Sequence, residues 1–268
     1  MPTAILENSK TLYEEKGSGE PLILIHGVGL DHTMWVGQVE GLSKHFRVVV
    51  YDMVGHGGSE HPSGPYSLSQ YVEQLMTLMN HLQIEKTHLV GFSMGGMVAQ
   101  AFALAHGEKL KTLTIISAVA NRTVDQRKAI LARVEEVKEN GASATIEPAI
   151  GRWFTQEFLT DQKDVVNRIR TRLQTNKHHS YLAAYTLFAT ADELLWPMLQ
   201  QIDIPTFIIT GENDSGSNPE MANQMLEKIA NSEIRIVPTM KHMLPMEGFQ
   251  IVNEAINSFI QKQPASVK

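Results

Sequence analysis

Cysteine is absent from the 268-residue sequence, which excludes disulfide bonds, thiolate metal sites and a cysteine nucleophile. No apolar run approaches the roughly 18 residues that a membrane-spanning helix needs. Basic residues number 23 against 29 acidic ones and form only short clusters, so the net charge is −6 and nucleic acid is a disfavoured partner. The first residues also lack the basic stretch and apolar core of a secretion signal. We therefore expect a cytoplasmic protein that acts on a small molecule, without membrane or nucleic-acid partners.

What the sequence does contain is an alternation of apolar, strand-like runs with helix-like patterns. Strand-like runs begin at Pro21, Arg47, Thr87, Leu110 and Ile204, and several are apolar throughout. Strands that are apolar without alternation are buried on both faces, as in a parallel sheet covered by helices. Residues 4–15 are predicted to form two further short strands joined near Asn8. The predicted fold class is α/β, with a mainly parallel central sheet flanked by helices.

The alternation stops between residues 121 and 195, where only helical patterns and a group of aromatic residues occur. We interpret this stretch as an all-helical lid inserted into an α/β core that comprises residues 1–120 and 196–268. The adjacent His178 and His179 resemble a metal-binding pair, but neighbouring side chains on a helix point in different directions and no carboxylate is spaced to join them. No metal and no cofactor are therefore expected. The sequence leaves open whether the protein is a monomer or a homodimer.

The stretch from Thr87 to Met97 predicts a strand that turns sharply into a helix, with Ser93 at the corner. Gly91 and Gly95 flank the serine in a G-x-S-x-G pattern, because side chains in so tight a turn would collide with neighbouring backbone. Apolar residues then recur at helical spacing, which is typical of a helix packed on a sheet. Ser93 is therefore the candidate nucleophile.

A serine hydroxyl becomes nucleophilic when a base accepts its proton, and a carboxylate holds that base in the required tautomer. Asp214 follows the late strand that ends at Gly211, and His242 follows the last strand. Because ligands bind at the carboxyl ends of parallel strands, we expect Ser93, Asp214 and His242 to meet at one edge of the sheet.

Other acids and histidines in the sequence are weaker candidates for these roles. Asp52 precedes the serine in the chain, and the Gly-x-x-Asp spacing favours Asp214 over Glu212 as the acid. His26 and His56 are expected to brace loops by hydrogen bonds rather than to act as bases.

Two backbone N–H groups are candidates for an oxyanion hole, which binds the negatively charged oxygen of an acyl-transfer intermediate. The N–H of Met94 follows the nucleophile at the start of a helix, and the N–H of Val28 lies in the glycine-rich loop after an early strand. Arg152 either holds a substrate carboxylate bidentately or is solvated on the lid. The candidates for the wall of the acyl pocket are Met94, Trp153, Met243 and Leu244, with core packing as the alternative for each.

Taken together, these motifs resemble the α/β-hydrolase superfamily over essentially the whole chain. Its landmarks are matched by His26–Gly27, the loop from Asp52 to Ser59, Gly91–Gly96, Gly211–Asp214 and His242. Within the superfamily, three segments are similar to the 3-oxoadipate enol-lactonase group of carboxylic ester hydrolases: Gly64–Ser67, Ser93–Val98 and Arg152–Thr155. The sequence departs from that group at Val54, where those enzymes usually carry an arginine.

The resemblance implies a serine hydrolase of small carboxylic esters or lactones, with 3-oxoadipate enol-lactone as one candidate substrate. The same residues would also serve a hydrolase of carbon–carbon bonds in ring-cleavage products, or a perhydrolase. A serine at position 93 disfavours dehalogenases and epoxide hydrolases, which use an aspartate nucleophile. A ligand receptor of the same fold that turns over slowly or not at all is the alternative from a different class.

Overall fold

The computed structural model describes residues 5–6 and 9–263 of the chain. Its strands are β1 (Ile5–Leu6), β2 (Ser9–Lys10), β3 (Tyr13–Lys16), β4 (Pro21–Ile25), β5 (Arg47–Tyr51), β6 (Thr87–Phe92), β7 (Leu110–Ile116), β8 (Thr206–Gly211) and β9 (Ser232–Val237). Residues 1–4, 7–8 and 264–268, which the prediction assigned to the core, lie outside the described part of the chain.

Seven of these strands form one sheet in the order β3-β5-β4-β6-β7-β8-β9. Only the edge strand β3 runs antiparallel to its neighbour, and all the other neighbours are parallel. The predicted α/β fold with a mainly parallel sheet is confirmed. At the N-terminus, β1 and β2 form a separate antiparallel pair, and the residues predicted to join them lie partly outside the described chain.

Helices connect the strands and cover both faces of the sheet. They are α1 (Val36–Leu42), α2 (Leu68–His81), α3 (Met94–His106), α4 (Val124–Asn140), α5 (Ser143–Trp153), α6 (Gln156–Asp161), α7 (Lys163–Gln174), α8 (His178–Thr190), α9 (Asp192–Leu195), α10 (Pro219–Lys228), α11 (Leu244–Glu247) and α12 (Phe249–Lys262). Within residues 9–263, none of them is both long enough and apolar enough to cross a membrane.

Successive residues of the central strands contribute to two separate hydrophobic cores. Ile23 and Ile25 of β4 belong to the core that contains buried residues of α2, α3 and α10. Leu22 and Leu24 belong to the core that contains buried residues of α1 and α12. Successive side chains of a strand point to opposite faces of the sheet, and both faces of this sheet are covered by helices. Apolar residues therefore occupy every position of these strands and not only every second one.

The segment between β7 and β8 contains the six helices α4 to α9, which we call the helical insertion. Its first helix begins with a capping box, in which Thr123 accepts from the N–H of Gln126 and the Gln126 side chain accepts from the N–H of Thr123. Helix α4 packs against α5 and α8, and α5 packs against α7. Residues of the insertion line a cavity together with Ser93 and His242, so the insertion covers the carboxyl edge of the sheet.

The turn from β6 into α3 brings backbone against backbone. A Cβ atom on Gly91 would lie 2.2 Å from the carbonyl oxygen of Gly95. A Cβ atom on Gly95 would lie 2.4 Å from the carbonyl oxygens of both Ile25 and His26. Neither position has room for a side chain, which is the physical reason for the glycines of the G-x-S-x-G pattern.

We predict that Gly95→Ala destabilises the protein, because the methyl group can be accommodated only by moving α3 away from β4. Overpacking of this kind lowers the free energy of unfolding by about 1–3 kcal/mol or more. The matched control is Gly151→Ala, also in a helix, where an added Cβ has no atom within 4 Å. Urea denaturation of both variants tests the prediction, and equal midpoints for the two would contradict it.

Candidate active site

Ser93 occupies the corner between β6 and α3 in a conformation that is uncommon for a residue with a side chain. Its φ angle is 54° and its ψ angle is −116°. The N–H of Ser93 donates to the carbonyl oxygen of Ile116 on the neighbouring strand at 2.9 Å. The surrounding backbone thus holds a strained residue in place, which directs its hydroxyl to the edge of the sheet.

Ser93, His242 and Asp214 are brought together in one chain of hydrogen bonds. The Nδ1 atom of His242 lies 2.7 Å from Oδ2 of Asp214, and its Nε2 atom lies 3.2 Å from Oγ of Ser93. All three residues are buried. Because Nδ1 bonds a carboxylate, it carries the ring proton, and the lone pair of Nε2 is left to accept from the serine hydroxyl.

Asp214 is itself held in a fixed orientation by the loop after β8. Its second oxygen, Oδ1, accepts from the backbone N–H groups of Gly216 and Ser217, each at 2.9 Å. Gly211 at the end of β8 allows this loop to approach the one that carries His242, since a Cβ there would lie 2.4 Å from the carbonyl oxygen of Met240. The two loops therefore meet through backbone contact.

The two alternative acids are engaged elsewhere. Glu212 accepts from the backbone N–H of Thr239 at 3.0 Å. The Oδ1 atom of Asp52 lies 2.7 Å from Nδ1 of His32, and its Oδ2 atom accepts from the N–H of Gly58 at 2.7 Å. Burial alone would raise the pKa of Asp52, but the hydrogen bond and charge of His32 hold that pKa below its usual range.

His26 and His56 lie inside the loops at this edge of the sheet. His26 accepts from the N–H of Met53 at 2.9 Å, and Nδ1 of His56 lies 3.0 Å from the carbonyl oxygen of Val54. Burial lowers the pKa of both rings, that of His56 to about 3, so both are neutral at physiological pH. They hold loops in place, as the sequence analysis expects. Val54, the position of departure from the enol-lactonases, is buried in the core.

Val28 lines the same cavity as Ser93, and Met94 follows the serine as the first residue of α3. The backbone N–H groups of both residues are free to bind a further acceptor, because among residues 9–263 neither group donates a hydrogen bond to a protein acceptor. The loop that carries Val28 is held by the helical insertion, since the side chain of Asn176 donates to the carbonyl oxygen of Gly29 at 2.8 Å. Two backbone donors thus have no acceptor among the described residues, one in this loop and one at the first residue of α3.

A cavity of about 90 Å³ opens next to Ser93, His242 and Val28. Both predicted pocket residues of the insertion, Arg152 and Trp153, line it. The other lining residues come from the strand ends and from the insertion: Val119, Arg122, Ile130, Arg133, Thr145, Ala149, Tyr181, Tyr185, Phe188 and Asp214–Ser217. The ring of Trp153 lies 5.9 Å from that of His242.

Met243 and Leu244 do not line this cavity, in contrast to their predicted role. Both are fully buried in the core on the α12 side of the sheet, and the side chain of Met94 is buried in the opposite core. The N–H of Met243 donates to the carbonyl oxygen of Trp153 at 3.0 Å, which turns the chain after His242 back into the core. Met243 and Leu244 are therefore close to His242 in sequence but do not lie at the cavity.

Arg122 and Arg133 also line the cavity, although no pattern in the sequence predicted this. Arg122 stands just before the first helix of the insertion, and Arg133 lies within the mostly polar sequence of α4, where arginine is typical of a solvated face. The tyrosines of α8 formed part of the aromatic group noted in the insertion, but no spacing rule assigned them to a pocket.

The arginines of the cavity differ in their partners. Arg122 bonds Oδ1 of Asp192 at 2.6 Å, and Arg127 bonds the other oxygen of Asp192 at 2.9 Å. Arg122 and Asp192 lie at the two ends of the insertion, so this buried pair joins its two connections to the sheet. By contrast, neither Arg133 nor Arg152 has a carboxylate within 4.0 Å in the described part of the chain.

Comparison with known proteins agrees with this architecture. The sequence model of the family described as alpha/beta hydrolase fold matches residues 20–249, and the chain belongs to that family. It is 30% identical, over 98% of both chains, to an (E)-2-((N-methylformamido)methylene)succinate hydrolase from Acinetobacter baylyi. It is 28% identical to 3-oxoadipate enol-lactonase 2 of the same organism, over 90% of this chain and 88% of the relative.

A solved structure is similar over nearly the whole chain. The enol-lactonase from Burkholderia xenovorans LB400 superposes with a TM-score of 0.89 at 27% identity, covering 97% of this chain and 100% of that one. The expected resemblance to the alpha/beta hydrolases, enol-lactonases among them, is confirmed.

We predict that Asp192→Asn lowers the free energy of unfolding by about 3–5 kcal/mol, because it leaves the buried Arg122 without a countercharge. The control is Glu193→Gln, which removes the exposed second partner of Arg127 and is expected to change stability by less than about 1 kcal/mol. Thermal and urea denaturation measure both effects. A loss no greater than that of the control would show that the buried pair does not stabilise the insertion.

Proposed function

We propose that the protein is a serine hydrolase that cleaves a small carboxylic ester or lactone through an acyl-enzyme intermediate. The observation that carries the proposal is the hydrogen-bonded series from Ser93 through His242 to Asp214 at the wall of a cavity. A serine, a base and a carboxylate in this order are the groups that acyl transfer requires. Membership of a hydrolase family supports the same conclusion.

In the proposed mechanism, Oγ of Ser93 attacks the substrate carbonyl while Nε2 of His242 accepts its proton. Asp214 stabilises the resulting imidazolium and keeps its ring oriented. The N–H groups of Val28 and Met94 donate to the oxyanion, which lies at the positive end of α3. His242 then protonates the leaving alcohol oxygen, and a water molecule activated by the same histidine releases the acid.

We further propose that residues 121–195 act as a lid on a core of residues 1–120 and 196–268, and that Arg152 binds a carboxylate of the substrate. Arg152 and Trp153 line the cavity from α5, and Arg152 forms no ion pair with a carboxylate among the described residues. A guanidinium can hold a carboxylate by two parallel hydrogen bonds. 3-Oxoadipate enol-lactone, the substrate in the names of two relatives, is an acid of this kind.

A second candidate is the reaction named for the Acinetobacter succinate derivative hydrolase, which is favoured by 30% identity over 98% of both chains. The proposed attack by Ser93 would be the same, and only the bond broken would differ. Assays of the purified protein on both compounds distinguish the two candidates.

Labelling with a serine-directed fluorophosphonate tests the proposed nucleophile. The expected result is one adduct, located on Ser93 by peptide mass spectrometry and absent from Ser93→Ala. An unmodified Ser93 in protein that still binds a carboxylate ligand would favour the receptor alternative.

We predict that Ser93→Ala and His242→Ala lower kcat by about 10⁴-fold or more while the fold remains intact. Asp214→Asn is expected to lower kcat by about 10³- to 10⁴-fold, because the histidine loses its oriented tautomer. The matched control is Glu212→Gln, whose partner is the backbone of Thr239 rather than His242. Steady-state kinetics on one ester compares the four variants, and a larger loss for Glu212 than for Asp214 would assign the acid role to Glu212.

We predict that Arg152→Ala selectively weakens the use of acidic substrates. The ratio of kcat/KM for 3-oxoadipate enol-lactone to that for a neutral short-chain ester should fall by the equivalent of about 1.5–3 kcal/mol, the usual contribution of a hydrogen bond to a charged group. An unchanged ratio would mean that Arg152 does not bind the substrate carboxylate.

A further inference from the structure

Two positively charged side chains, Arg133 of α4 and Arg152 of α5, share the wall of the cavity beside Ser93. Neither forms an ion pair with a described carboxylate, and the Nε atom of Arg133 is buried without a hydrogen-bond partner among the described residues. Both line the same cavity, and burial together with the charge of Arg133 lowers the pKa of Arg152, while the charge of Glu136 acts weakly in the opposite direction.

This arrangement is unfavourable for folding by itself. A buried donor without a partner loses its hydration, and two like charges in a poorly solvated site raise each other's energy. Arg122, on the same wall, is different because Asp192 neutralises it. The other acidic group of the cavity, Asp214, is already bonded by His242, Gly216 and Ser217. The cavity is therefore lined by two positive charges that form no ion pair with a described carboxylate.

We infer that the substrate carries two carboxylates in addition to the bond that is cleaved, one for Arg152 and one for Arg133. The inference rests on the proposed function and extends it, since 3-oxoadipate enol-lactone has only one carboxylate besides the bond that is cleaved. Each guanidinium presents a planar fork that matches a single carboxylate bidentately, so two forks on two different helices accommodate two anions. A dianion also removes the repulsion between the arginines.

The test compares methyl esters that differ only in the number of free carboxylates: methyl butyrate, monomethyl glutarate and the 1-methyl ester of propane-1,2,3-tricarboxylate. Values of kcat/KM are measured by titration of the released acid for the wild type, Arg133→Met and Arg152→Met. The matched control is Arg168→Met, an exposed arginine of the insertion that does not line the cavity. Arg133→Gln also removes the charge, keeps a polar side chain, and replaces Arg133→Met if the latter does not fold.

The wild type is expected to prefer the ester with two carboxylates over the ester with one by about tenfold to a hundredfold. Arg133→Met should abolish this preference and leave the preference for one carboxylate over none, whereas Arg152→Met should weaken the use of both acidic esters. Arg133→Met should not lower the melting temperature, because it removes an unsatisfied donor. Arg168→Met should change neither ratio.

The inference is overturned if the wild type uses the two acidic esters equally well, or if Arg133→Met lowers kcat/KM for all three esters by the same factor. It is also overturned if Arg133→Met and Arg152→Met weaken monomethyl glutarate equally, since both arginines would then hold a single carboxylate. Isothermal titration calorimetry of the same three esters with Ser93→Ala measures their affinities in the absence of catalysis. An absence of hydrolysis would contradict the proposed function, whereas equal binding of the two acidic esters would contradict only the inference.

Discussion

Where β6 turns into α3, the carbonyl oxygens of Ile25, the last residue of β4, and of His26, which follows it, lie so close to Gly95 that no side chain fits there. This contact holds the start of α3 directly above the carboxyl end of the sheet. It also forces the turn to be tight, so that Ser93 adopts a positive φ. The position of the serine relative to the loops after β4, β8 and β9 follows from the same contact, and the remaining groups of the candidate site are arranged around it.

The parts of the site that could be predicted from the sequence are those that follow strands directly. Ser93, Asp214 and His242 each come within a few residues of the end of a strand, and a parallel sheet brings the carboxyl ends of its strands to one edge. The apolar runs predicted the strands of the sheet, and the apolar stripe after Ser93 predicted that α3 packs on it, because burial leaves a periodic pattern in the chain. Short α1 contains two glycines and leaves no such pattern, and it was not predicted.

The cavity wall could not be predicted in the same way. Arg133 comes from a helix of mostly polar sequence, and only the packing of α4 against α5 and α8 turns this residue towards the cavity. Met243 and Leu244, in contrast, were predicted to line the cavity and do not. They follow His242 directly in sequence, but the hydrogen bond from the N–H of Met243 to the carbonyl oxygen of Trp153 turns the chain away from the cavity. Contacts between distant segments determine both outcomes, and local periodicity contains no information about them.

The helical insertion is bonded to both loops that flank the serine. Asn176 donates to the loop that carries Val28, and the carbonyl oxygen of Trp153 accepts from the loop that carries His242. A movement that lifted the whole insertion would break these bonds and disturb the proposed base, His242, together with the proposed oxyanion donor of Val28. The insertion is therefore not an interchangeable module: a chimaera that received this segment from a relative would have to keep both attachments before any change in its pocket could alter specificity.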